Sequence, residues 1–107
     1  MNKQPDFIAE LHYLTTEQGG RKTPAYSGYR PHVKFAFSEK LSSGQQIFLN
    51  KEIVCPGEDV IAEISILSVD FYEGNLKEGD LFEFSEGPRI IGTGKIVKIL
   101  NEALLNT

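Results

Sequence analysis

The sequence predicts an all-β fold, and three observations carry it. Apolar residues recur mostly with period two, the apolar runs are short and separated by Gly/Pro-rich turns, and only residues 99–105 hold enough helix formers for a helical turn. Period two marks strands because successive side chains point to opposite faces of a pleated chain. About six short strands punctuated by turns are the pattern of an antiparallel barrel or sandwich. The length of 107 residues fits one domain, expected over residues 1–107 with its core at about 6–101. A chain of this size buries about 60–70% of its extended surface, so one core suffices without staples.

Taken in order, residues 7–14 read as a strand, with Phe7, Ala9, Leu11 and Tyr13 on one face and Glu10 and His12 on the other. Residues 15–27 are a long connection containing the Gly19-Gly20-Arg21-Lys22-Thr23-Pro24 run. Residues 29–37 show the clearest alternation: Tyr29, Pro31, Val33, Phe35 and Phe37 face inward, while Arg30, His32, Lys34 and Ala36 face outward. Pro31 has no backbone donor, which places that end of the strand at an edge or bulge. Residues 38–44 read as a turn and 45–49 as a short strand, with Ile53-Val54 as a further candidate. Cys55-Pro56-Gly57-Glu58 is a turn in which proline presets φ and glycine suits the left-handed position. Residues 60–69 form a strand with Val60, Ala62, Ile64 and Ile66 inward, and 73–80 break the pattern. Residues 81–85 follow with Phe82 and Phe84 inward, then a tight turn at 86–89 and a last strand at 90–100. Gly92 and Gly94 inside that strand predict a bulge or a close backbone approach.

Composition narrows the function. Hydrophobic residues are 40% and charged residues 24% of the chain, which is globular rather than disordered. Cys55 is the only cysteine, so neither an internal disulfide nor a CxxC metal site is available, in keeping with a reducing cytoplasm. The first residues lack the apolar core of a leader, and no apolar run approaches the roughly 18–20 residues of a membrane span. The net charge is −4, which opposes indiscriminate coating of DNA or RNA. Charge is nonetheless segregated. Residues 19–37 hold no acid and include Arg21, Lys22, Arg30 and Lys34, whereas residues 52–86 hold ten acids against the single cation Lys77.

Motifs for chemistry are missing. The nearest approach to a phosphate-binding loop, Gly94-Lys95, fails because Arg89 and Ile96 stand where Gly and Ser/Thr are needed. His12 and His32 lie in different strands and no nucleophile elbow marks a triad. Asp70, Glu73, Glu78 and Asp80 lack the order of a calcium loop. No catalytic residue, metal or cofactor is expected. The cations of residues 19–34 have two readings: a surface that meets an anionic or acidic partner, or fasteners whose donors satisfy backbone acceptors within the loop.

Several segments, taken together and in order, resemble the C-terminal barrel of bacterial elongation factor Tu. They are Phe7-Ile8-Ala9-Glu10-Leu11-His12-Tyr13-Leu14; Gly19-Gly20-Arg21-Lys22-Thr23-Pro24 with Gly28-Tyr29-Arg30-Pro31; Val54-Cys55-Pro56-Gly57-Glu58-Asp59-Val60; and Glu86-Gly87-Pro88-Arg89-Ile90-Ile91-Gly92-Thr93-Gly94. The resemblance covers about residues 6–100 and implies a six-stranded antiparallel closed β-barrel. It includes no counterpart of the GTPase domain or middle barrel, so it implies no GTP hydrolysis and a free-standing module. In that family the barrel meets the T-stem backbone of aminoacyl-tRNA, packs on the GTPase domain and helps bind the exchange factor. By resemblance, Glu86 and Gly87 match a tRNA-contacting pair, Ser43 matches a contacting Thr, and His32 stands for a contacting Gln. Ser68 stands where some members carry a contacting Lys, and Pro88 replaces a Gly. The resulting expectation is a non-catalytic, cytoplasmic binding module that uses Arg21, Lys22, Arg30, His32, Lys34, Ser43, Glu86, Gly87 and Arg89. Its partner is expected to be a protein, either a translational GTPase or a binder of elongation factor Tu, with weak, sequence-independent tRNA binding as the alternative.

Overall fold

The computed structural model describes residues 4–106. Its strands are β1 (Phe7–Tyr13), β2 (Ala25–Tyr26), β3 (His32–Phe35), β4 (Ser42–Phe48), β5 (Ile53–Val54), β6 (Asp59–Ile66), β7 (Leu81–Glu86) and β8 (Arg89–Ile99). Six of them close an antiparallel barrel in the order β1-β6-β4-β3-β7-β8, with β8 returning to pair with β1. Closure leaves the barrel without the unpaired edge that an open sheet must protect. The remaining strands, β2 and β5, pair with each other outside the barrel.

Alternation does the sorting. In β1 the odd-numbered residues from Phe7 to Tyr13 are buried while Glu10 and His12 are exposed. Phe7, Phe35 and Phe82 meet in the interior with ring centroids 5.5–6.0 Å apart. Tyr13 packs edge-on against Phe84 at 4.9 Å. A small barrel needs such large side chains to fill it, and Gly92 and Gly94 make the room. Each faces a Phe directly across the β7–β8 ladder, Gly92 opposite Phe84 and Gly94 opposite Phe82. A Cβ on Gly92 would lie 2.1 Å from Phe84 Cζ, and one on Gly94 2.2 Å from Phe82 Cζ. The close approach predicted for this strand is therefore an aromatic ring folded over a glycine.

Asp6 seals one end. Its carboxylate is buried and accepts from the Ile66 N–H at 2.7 Å and from Asn101 Nδ2 at 2.9 Å, while its carbonyl accepts from the Leu100 and Asn101 N–H groups at 2.9 Å. The start of β1, the end of β6 and the exit from β8 are thus tied at one residue. Leu104, in the 3-10 turn Glu102–Leu104, is buried, and its carbonyl accepts from the Leu76 N–H at 2.8 Å. The packed core consequently runs past residue 101.

Several boundaries differ from the sequence reading. Strand β3 is only His32–Phe35, and Phe37 is exposed rather than inward. The chain turns directly after Phe35, whose carbonyl accepts from the Ser38 N–H at 3.1 Å. Tyr29 and Pro31 still offer carbonyls to Gln46 and Gly44 at 2.8 and 2.9 Å, but Pro31 cannot donate and the ladder stops short of it. Strand β4 starts at Ser42, inside the expected turn, and β6 ends at Ile66, where a 3-10 turn, Val69–Tyr72, takes over. The connection at 15–27 contains β2.

Gly92→Ala should destabilise the fold by about 1–3 kcal/mol through overpacking against Phe84. Adding Phe84→Leu should recover part of that loss, giving a non-additive cycle in urea unfolding.

Candidate functional site

The residues singled out by sequence fall in three places: the segment 19–31, the outer face of β4, β3 and β7, and the β7–β8 hairpin turn with Glu86, Gly87 and Arg89. Segment 19–31 is held by hydrogen bonds to the residues before it and to β4 and the β4–β5 connection. Thr15 accepts from the Gln18 and Gly20 N–H groups at 3.0 and 2.9 Å, and the Thr16 hydroxyl donates to the Arg21 carbonyl at 2.7 Å. The Ser27 N–H donates to the Glu52 carbonyl at 2.8 Å and the Gly28 N–H to the Gln46 carbonyl at 2.7 Å.

Arg21 is the fastener of this segment. Its Nε donates to the Thr23 carbonyl at 3.2 Å, and one terminal nitrogen donates to Thr23 Oγ1 at 3.1 Å and to the Pro24 carbonyl at 3.2 Å. The other terminal nitrogen pairs with Glu86 at the end of β7, and the guanidinium carbon lies 4.7 Å from the centre of the Tyr29 ring. The Tyr29 hydroxyl donates to the same Glu86 oxygen. One carboxylate therefore ties the 19–31 segment to the β7–β8 hairpin. Only 19% of the Arg21 side chain is exposed. Burial opposes its charge, but Tyr29 and Glu86 outweigh that and hold its pKa above the ordinary value. Arg21 is thus committed to Glu86, whose own side chain keeps 38% of its surface exposed.

Behind this clasp, Tyr13 donates to Gln46 Oε1 at 2.5 Å inside the barrel. Burial pushes the Tyr13 phenol well above its usual range, and the neighbouring Tyr29 and Glu86 add to the shift. The Tyr29 phenol is raised by burial and by its hydrogen bond to Glu86.

The other predicted residues lie outward. Lys22, Arg30, His32, Gly87 and Arg89 are exposed. Gly87, with φ 57, is the first central residue of the hairpin turn, the position where a two-residue loop favours glycine. His32 stands opposite Ser43 on β4 and opposite Ser85 on β7, so these three form one row across the barrel. In the next row Lys34 faces Glu83, and its Nζ lies 4.0 Å from Glu39. Ser68 adjoins the first row, its N–H donating to Ser42 Oγ at 3.0 Å. Residues drawn from four parts of the sequence therefore share one surface, which is polar and carries few cations.

A second feature is a groove of about 1110 Å³ on the outer faces of β6, β1, β8, β7 and β3, with Ile61, Leu81, Glu10, Lys95, Glu83 and Lys34 among its lining. Charges of both signs alternate along it. Among the described residues, no group of three or more His, Cys, Asp or Glu side chains is placed to hold a metal ion. Cys55 is exposed, and its N–H donates to Glu58 Oε1 at 2.8 Å. Compared with models of known protein families, the chain matches none.

Sequence reasoning did not find the Arg21–Glu86–Tyr29 clasp. Its members lie up to 65 residues apart, and opposite charge was the only signal that linked Arg21 to Glu86.

Glu86→Gln should cost on the order of 1 kcal/mol in urea unfolding, as expected for a partly exposed pair, and should speed amide exchange in residues 19–30. Both phenols are raised above the unfolded value of 10.0, so the folded state holds their protons more tightly. Their contribution to stability is fully present below about pH 10 and falls as pH rises beyond it. Tyr13→Phe/Tyr29→Phe should flatten that alkaline decline in pH-dependent denaturation.

Proposed function

We propose that this chain is a non-catalytic binding module that engages a protein partner of the translation apparatus in the cytoplasm. The partner would be a translational GTPase or a protein that binds elongation factor Tu. The resemblance of the Gly-Gly-Arg-Lys-Thr-Pro and Glu-Gly-Pro-Arg segments to the C-terminal barrel of that factor supports the reading. The observation that carries it is the clasp at Glu86. It holds residues 21–30 in one conformation against the β7–β8 hairpin, so Lys22, Arg30, His32 and Arg89 are presented from a rigid scaffold. Pre-ordered loops lose little entropy on association, which suits a recognition surface. The polar row Ser43–His32–Ser85 completes that face.

Weak binding to the tRNA backbone is the second reading, favoured by the exposure of Lys22, Arg30 and Arg89. Three cations supply few phosphate contacts, and such binding would be strongly salt-dependent and blind to sequence. Commitment of Arg21 to Glu86 removes one cation from that set, which favours the protein.

Immobilised chain should bind a purified translational GTPase or the exchange factor of elongation factor Tu, and Lys22→Glu/Arg30→Glu should weaken that binding by about tenfold or more. Titration with tRNA at about 50 and 200 mM salt separates the readings. Saturable binding to tRNA at low salt that fades as salt rises, alongside no binding to the proteins, would make tRNA the partner and exclude the protein.

A further inference from the structure

The 36–41 turn and the segment after β6 place four large apolar side chains in the solvent. Phe37 is 52% exposed, Leu41 53%, Leu67 71% and Phe71 43%. The two segments that carry them lie side by side. The Leu67 N–H donates to the Ser43 carbonyl at 2.9 Å, and the Tyr72 hydroxyl donates to the Lys40 carbonyl at 3.2 Å, which stitches the two segments together. Rings continue the contact into the core: Phe37 stacks on Phe35 at 5.7 Å, Phe35 meets Tyr72 at 4.9 Å, and Tyr72 meets Phe71 at 6.1 Å. The patch is therefore backed by rigid, buried aromatics. Single exposed apolar residues are ordinary, but a contiguous group on a firm base marks an interaction surface.

Charge says what covers it. Glu39, Asp70 and Glu73 belong to the same two segments and are exposed, Glu39 with 97% of its side chain in solvent. Two cations stand near them: Lys34, whose Nζ lies 4.0 Å from Glu39, and Lys40, which rests over the Phe71 ring with Nζ 5.1 Å from its centre, so Asp70 and Glu73 carry most of the negative charge of the rim. Two copies of this chain meeting patch to patch would bring these carboxylates together, and nucleic acid would meet the same repulsion. A partner with an apolar centre and cations at its margin meets neither cost, and its cations gain the carboxylates.

We propose that the patch made by Phe37, Leu41, Leu67 and Phe71, with its acidic rim, docks an apolar, cation-flanked segment of a partner protein. This site borders the β4–β3–β7 face at Ser43 but is separate from it, and it stands whether or not the partner belongs to translation. An amphipathic helix laying its apolar stripe on the patch is the simplest such segment.

The test uses the whole chain, labelled for amide NMR, and two synthetic amphipathic peptides of equal length, one built from Leu and Lys and one from Leu and Glu. The Leu/Lys peptide should give saturable shifts confined to residues 36–42 and 66–73, and the Leu/Glu peptide should bind at least about tenfold more weakly. Leu67→Asp should abolish the shifts. Leu67 is largely exposed, so the substitution should leave the fold intact, as the rest of the spectrum reports. Glu39→Lys/Asp70→Lys should reverse the preference between the peptides. Equal binding of both peptides, shifts that map to the groove or to the His32 row, or no saturable shift up to about 1 mM would each overturn the proposal. So would concentration-dependent broadening of the same amides without peptide, which would make a second copy the occupant.

Discussion

The pairing of β1 with β8 joins the first and last strands of the barrel, and the inward-facing side chains depend on the register it sets. Phe7 lies opposite Ile99 and Tyr13 opposite Gly92, with a shift between Ile8 and Ala9 that lets the ladder bend. A slip of one residue would turn the apolar set of β1 to solvent and bring Glu10 and His12 inside. The Asp6 carboxylate guards against that slip, since it is bonded both to Ile66 at the end of β6 and to Asn101 beyond β8. A buried carboxylate is costly unless its oxygens are satisfied, and in this barrel each oxygen accepts from a different part of the chain.

Within that frame the interior is filled by rings and the surface is arranged around what they displace. Phe82 and Phe84 lie over Gly94 and Gly92, so β7 and β8 stay close although both Phe side chains are large. The hairpin they form carries Glu86 at its end, and Glu86 holds Arg21 and Tyr29. Core packing, hairpin position and loop conformation are thus linked in series. The same logic operates at the other end of β3, where Phe35 is buried between Phe7, Phe82 and Tyr72 and supports the exposed Phe37. Both candidate surfaces are extensions of a rigid aromatic core, the usual arrangement when loops on a fixed scaffold carry binding.

Much of the barrel was legible in the residues. Alternation in 7–13, 59–66 and 81–86 assigned inward and outward faces correctly, because half-buried strands impose a strict period of two. The glycines of β8 announced a bulge or a close approach, and the ladder shows a register shift beside Gly92 as well as the rings over both glycines. Segments of mixed character were not legible. Phe37 continues the alternation of its strand yet is exposed, because a turn after Phe35 ends the ladder. Residues 42–44 look like a turn yet pair with β3 and β6, since neighbouring strands can recruit polar residues that have little β propensity of their own. Of the candidate site, the cations could be named but not sorted: nothing local distinguishes Arg21, which bonds inward, from Arg30, which is exposed.

The amino-acid sequence by itself determined the fold class, the identity of the core residues in the long strands and the segregation of charge, because these follow from periodicity and composition. Only the tertiary structure decided which cations remain available, which carboxylate binds the loop, and which apolar residues stay in solvent. Those outcomes turn on contacts between residues far apart in the chain, such as Arg21 with Glu86 and Lys40 with Phe71. No local pattern encodes such contacts, because the closure of the barrel is what brings them within reach.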